Sequence, residues 1–137
     1  MKVFFDASVL LAGAKSKSGG SRVILQLAEK GKIDALTSRI VLEEVKRNLK
    51  KKFSQAASVS CARWLKATKP GVINVGEKEI RKYLGFVAAK DAHVLAAAKK
   101  GKAGFLVTLD KSHLLKLKAH PKIPFQILTP RELIKQL

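Results

Sequence analysis

Two short, uninterrupted apolar runs, Val3-Phe4-Phe5 and Phe105-Leu106-Val107, each lead to an aspartate, Asp6 and Asp110. A strand with one solvent face alternates apolar and polar residues. Runs without alternation belong to strands buried on both faces, which is the habit of parallel sheets covered by helices. Between these runs the chain offers further strand candidates at 33–37, 72–75 and 125–128. The stretches between them read as helices. A short helix follows Asp6 through Leu11, and Ser21 is expected to cap one that reaches about Lys30 and stops at Gly31. Ser38 is the N-cap candidate for a helix to about Lys52, and another covers 55–67. Beyond Pro70-Gly71 come a helical stretch from Glu77, a helix over 91–100 closed by Gly101, and a helix over 111–118. Thr129-Pro130-Arg131-Glu132 announces the last helix, with a capping box and proline at its first position. Strands separated by helical crossovers make an α/β fold with a mostly parallel sheet, here read as one domain over 1–137.

The balance of 28 Lys and Arg against 10 Asp and Glu gives a formal charge of +18. A surface so basic favours a polyanion, because neutralising phosphates releases condensed counterions. Cys61 stands alone, so neither a disulfide framework nor a cysteine-based zinc site can be built. Asp6 interrupts the apolar start where a signal peptide would need continuity, and no apolar run approaches the ~20 residues that span a bilayer. A cytoplasmic protein without membrane segments is expected.

Carboxylates occupy positions that folding alone would not choose. In parallel α/β sheets ligands bind beyond the carboxyl ends of the strands, where Asp6 and Asp110 both fall. Asp91 opens a helix on which Val94, Leu95 and Ala98 follow at i+3, i+4 and i+7, which sets its side chain on the inward stripe. In the tandem Glu43-Glu44, the apolar face defined by Ile40, Val41, Leu42, Val45, Leu49 and Phe53 puts Glu44 on its flank and Glu43 nearly opposite. Three of the four aspartates, Asp6, Asp91 and Asp110, thus join Glu44 in one candidate site, and Asp34 does not. Converging carboxylates repel unless protonated or bridged by cations, and hard oxygen donors suit Mg²⁺ or Mn²⁺. An acidic pit in a basic surface is the arrangement a phosphodiester-cleaving enzyme needs.

At these residues the chain resembles the PIN domain family, nucleases that include the VapC-type toxins of toxin–antitoxin pairs and RNA-processing enzymes. Val3-Phe4-Phe5-Asp6-Ala7-Ser8 resembles the family opening, and residues 38–45 are similar to the segment in which Ser or Thr precedes a helical acid. The segments 90–98, from Lys90-Asp91, and Leu106-Val107-Thr108-Leu109-Asp110 resemble the other two motifs, and 127–132 is similar to the end of a toxin branch. The resemblance implies a three-layer α/β/α sandwich, dependence on Mg²⁺ or Mn²⁺ and endonucleolytic cleavage of RNA. It also implies an antitoxin partner, with a homodimer as the expected assembly. Asp6, Glu44, Asp91 and Asp110 would be the metal-site acids, with Ser8 and Thr108 in supporting hydrogen bonds. Lys111-Ser112-His113 departs from the pattern, since many relatives carry a further acid there.

Lys15 and Lys17, in a polar loop one short helix beyond Asp6, are candidates to grip an RNA backbone. Lys50-Lys51-Lys52 and Lys99, Lys100 and Lys102 sit at helix C-termini, where cations complement the dipole whatever else they do. His93 is expected to project about 200° from Asp91 around its helix, and the direction of His113 is open. Trp64 reads as core or dimer interface. Two competing readings are a non-catalytic RNA-binding module on the same fold and a phosphoryl-transfer domain with Asp6 as nucleophile; the latter lacks a second acid at position 8, where Ser8 stands.

Overall fold

The computed structural model of the chain describes residues 1–85 and 87–137. Five parallel strands form one sheet: β1 (Lys2–Phe5), β2 (Asp34–Ser38), β3 (Gly71–Ile73), β4 (Phe105–Val107) and β5 (Gln126–Leu128), in the order β3-β2-β1-β4-β5. The helices are α1 (Ala7–Lys15), α2 (Gly20–Glu29), α3 (Arg39–Lys52), α4 (Gln55–Thr68), α5 (Glu77–Arg81), α6 (Ala89–Lys100) and α7 (Pro130–Lys135). From β1 the chain builds outward through β2 and β3, then returns to lay β4 and β5 on the other side. The direction of winding therefore reverses between β1 and β4. At such a switch point the crossovers depart to opposite sides and leave a crevice at the carboxyl ends.

Val3, Phe4 and Phe5 are all fully buried, so β1 is covered on both faces, as its lack of alternation predicts. One group holds α1, α2, α3 and α4, with α7 packed on α2; α5 and α6 pack together, with α6 against β2. Three layers result. Trp64 belongs to the core: its indole N–H donates to the Leu25 carbonyl at 2.8 Å, and its ring centroid lies 5.7 Å from that of Phe5. That burial leaves no face for base stacking or a subunit contact. Gly13 lets α1 and α2 approach closely, since a Cβ there would sit 2.1 Å from Leu25 Cδ1.

The caps decide several boundaries. Ser38 accepts from Val41 N at 3.1 Å and starts α3, and Thr129 with Glu132 forms the expected capping box on α7. Ser21 does not cap its helix. Instead α2 begins two residues earlier, with Gly19 as its N-cap at a φ of 102° that suits glycine and with no side-chain cap. The first helix also runs on to Lys15, which leaves a shorter polar loop than expected. The helix expected over 111–118 shrinks to a 3-10 turn, Leu114–Leu117, because Asp110 organises the preceding residues into a turn of its own. Among the described residues no helix is long and apolar enough to cross a membrane.

Candidate functional site

Register explains the first part of the site. Phe5 pairs with Val107, so the residues after them, Asp6 and Thr108, emerge side by side at the switch point. The Asp6 amide donates to the Val107 carbonyl at 3.2 Å and the Thr37 hydroxyl to the Phe5 carbonyl at 3.1 Å, which pins the end of β1 from both neighbours. Asp6 Oδ2 accepts from Thr108 Oγ1 at 2.7 Å and from Ser8 Oγ at 2.9 Å. Each hydroxyl also accepts from the following loop, Ser8 Oγ from Leu109 N at 3.0 Å and Thr108 Oγ1 from Asp110 N at 3.1 Å. Two hydroxyls thus fix Asp6 and the loop carrying Asp110 in one network.

Asp6 is buried, and burial raises its pKa above the ordinary value; the Thr108 and Ser8 hydrogen bonds and the Ala7 backbone oppose the rise, while the Asp110 charge adds to it. Glu44 is half-buried on α3 and Glu43 is exposed, the division that the helical arithmetic gave. Burial raises the Glu44 pKa first and the nearby Asp6 charge second, with Asp91 adding to the rise and Arg47 and Lys90 working against it. Asp91 lies in the first turn of α6, which starts two residues earlier than expected. It is only 7% exposed, and its Oδ2 finds no hydrogen-bond partner among the described residues.

The structure draws Asp91, Asp110 and His113 closest together: one ligand atom from each lies within 4.8 Å of the others. Asp6 and Glu44 stand outside that trio but within electrostatic reach of it, Asp6 beside Asp110 and Glu44 beside Asp6 and Asp91. Lys15 and Lys17 are exposed and line a separate polar cleft of about 280 Å³ with Arg22 and Ser54.

One histidine differs from the sequence reading, and a second, whose direction that reading left open, finds its place. His93 does not project away from the acids: it is buried, and it senses both Asp6 and Asp91. Burial pushes its pKa down, against the pull of Asp6, the Lys90 backbone and Asp91, so the ring is favoured neutral. The expectation failed because α6 has no solvent face from Asp91 to Ala98; every residue of that stretch is buried. His113 is exposed and stands beside Asp110, with Nδ1 3.3 Å from Oδ1. The Asp110 carboxylate accepts from the His113 amide at 3.2 Å, and this side-chain turn brings the ring to the acid. An Asp followed three residues later by His was the available signal.

A sequence model of the PIN domain matches residues 2–112. The chain belongs to the PIN domain family. PIN domains are in general nucleases. Among solved structures, this PIN domain is similar to the crystal structure of FitAcB from Neisseria gonorrhoeae, with a TM-score of 0.61 and 16% identity over 94% of this chain and 98% of that one. At that identity the likeness is one of fold. No curated protein matches the sequence significantly.

Thr108 carries a testable consequence. Thr108→Val keeps the shape and removes both the donor to Asp6 and the acceptor for Asp110 N. Leaving a buried carboxylate short of a hydrogen bond costs about 1–3 kcal/mol, so chemical denaturation at pH 7 should show a loss of that size, against none for Ser112→Ala on the exposed turn.

Proposed function

We propose that this chain is a Mg²⁺- or Mn²⁺-dependent endoribonuclease and the toxin of a toxin–antitoxin pair. The observation that carries the reading is the buried Asp91 carboxylate, which groups with Asp110 at the sheet's switch point and whose Oδ2 has no hydrogen-bond partner among the described residues, in a chain of net charge +18. Burying a carboxylate without a partner is costly, and a cation is the partner that several converging acids share. The donor set fits a divalent ion, with Asp91 and Asp110 as its holders and Asp6 and Glu44 flanking them. Such an ion supplies Lewis acidity and an activated water for phosphodiester hydrolysis. Within the protein, Ser8 and Thr108 hold the acidic loops in register.

RNA is the proposed substrate, and its backbone would run over Lys15 and Lys17. Lys15→Ala/Lys17→Ala should weaken single-stranded RNA binding and reduce the salt dependence of log K by about 0.7 per lost phosphate contact, measured by fluorescence anisotropy across a salt series. An unchanged slope would place the RNA elsewhere. The antitoxin reading rests on the fold likeness and on an apolar groove of about 350 Å³ between α3 and α4, lined by Leu42, Val45, Leu49 and Leu65 and bordered by Lys46 and Lys50. An antitoxin segment with apolar anchors and acidic flanks suits that chemistry.

The direct test is incubation with a mixed pool of single-stranded and structured RNA, in EDTA or in Mn²⁺, followed by sequencing of product ends. Defined ends that appear only with Mn²⁺ are expected. RNA bound tightly in either condition with no product would favour the non-catalytic RNA-binding module.

A further inference from the structure

We propose that His113 is a ligand of the cation site, so that the site joins one imidazole nitrogen to two carboxylates and prefers Mn²⁺ to Mg²⁺. The inference rests on the metal-centre reading above and adds to it the identity of a ligand and the selectivity that follows.

Three observations carry it. First, Asp91, Asp110 and His113 each offer a ligand atom within 4.8 Å of the other two, while Asp6 and Glu44 do not enter that group. Second, the Asp91 carboxylate, which contributes an oxygen to the group, is 7% exposed, and its Oδ2 has no hydrogen-bond partner among the described residues, so a buried acceptor is left open there. Third, His113 is held there by backbone geometry: its amide donates to Asp110 Oδ1 at 3.2 Å, and its Nδ1 lies 3.3 Å from the same oxygen. A ring set in place by a turn is preorganised for binding.

The chemistry then separates the two ions. Mg²⁺ is a hard cation that keeps its waters and takes oxygen donors, gaining little from imidazole. Nitrogen donors favour first-row transition ions, among which Mn²⁺ binds most weakly but still accepts them. Exchanging an oxygen donor for His113 therefore weakens the site for Mg²⁺ more than for Mn²⁺. The exposed position of His113 lets the ring be replaced without disturbing the core.

The test uses the full chain and Mn²⁺ alone, without RNA. Pulsed electron paramagnetic resonance of the Mn²⁺-loaded protein should show nitrogen-14 modulation from a bound imidazole, and His113→Ala should abolish it. Calorimetric titration should show His113→Ala weakening Mn²⁺ about tenfold with little change for Mg²⁺, and His113→Asp shifting the preference toward Mg²⁺. Mn²⁺ binding that Asp91→Asn removes, but whose spectrum is the same in His113→Ala, would overturn the ligand assignment and leave the metal centre standing. Failure of the parent to bind Mn²⁺, or binding indifferent to Asp91→Asn, would overturn the metal centre and this inference with it.

Discussion

Asp6→Asn is expected to slow metal-dependent RNA cleavage by about 1,000-fold or more, the equivalent of several kcal/mol of lost transition-state stabilisation at 1.36 kcal/mol per tenfold. The same variant should be at least as stable as the parent at pH 7 in EDTA. Both halves follow from the position of Asp6. Its carboxylate is buried beside Asp110 and Glu44, so substitution by a neutral amide removes one of the charges that would attract a cation. An asparagine oxygen can still accept from Ser8 and Thr108, so the network that joins the two loops survives. Burial raises the Asp6 pKa in the folded chain, which means the folded state holds that proton more tightly than the unfolded state. The stability associated with the protonated form is full below the unfolded pKa and is lost as pH rises through the folded one. The amide of the Asp6→Asn variant cannot ionise and escapes that loss. Thermal unfolding of both proteins between pH 4 and 8, in EDTA, reads the difference directly, and cleavage kinetics read the rest. A variant that cleaves as fast as the parent would remove Asp6 from the site.

Phe5→Ala should cost about 3–5 kcal/mol, a large share of the 5–15 kcal/mol that holds a typical domain together. Phe5 is fully buried, its ring is tilted at 45° to Trp64, and its backbone pairs with Val107 in the register that sets Asp6 beside Thr108. Truncation leaves a cavity between the central strand and α4 at the base of the acidic site. Urea denaturation followed by Trp64 fluorescence should show a lower midpoint with an unchanged slope. A loss under about 1 kcal/mol would mean that α4 collapses onto the vacated space.

What could be read from the residues divides along physical lines. Val3-Phe4-Phe5 and Phe105-Leu106-Val107 were legible as buried parallel strands because burial on both faces suppresses alternation, and Asp6 and Asp110 were then fixed by the rule for strand ends. Glu44 was separable from Glu43 because α3 has a true solvent face and helical arithmetic works where one exists. The same arithmetic failed for His93, since α6 is rich in alanine and buried on every side, so no angle on it points to water. His113 was missed for another reason. Its direction depends on a single hydrogen bond from its own amide to the Asp110 side chain, and that bond also replaces the first turns of the helix expected over 111–118. The acid network was legible as a set of acids but not as a network, because the hydroxyls that join it, Ser8 and Thr108, are 100 residues apart and meet only through the β1–β4 register.

The most direct test of the claim that these carboxylates form a cation site is the unfolding temperature of the parent and of Asp91→Asn, each measured in EDTA and in Mn²⁺. The parent should be stabilised by Mn²⁺, by about 2.7 kcal/mol at a hundredfold excess over Kd, and Asp91→Asn should show little or no shift. No shift in the parent, or an equal shift in both proteins, would contradict the assignment.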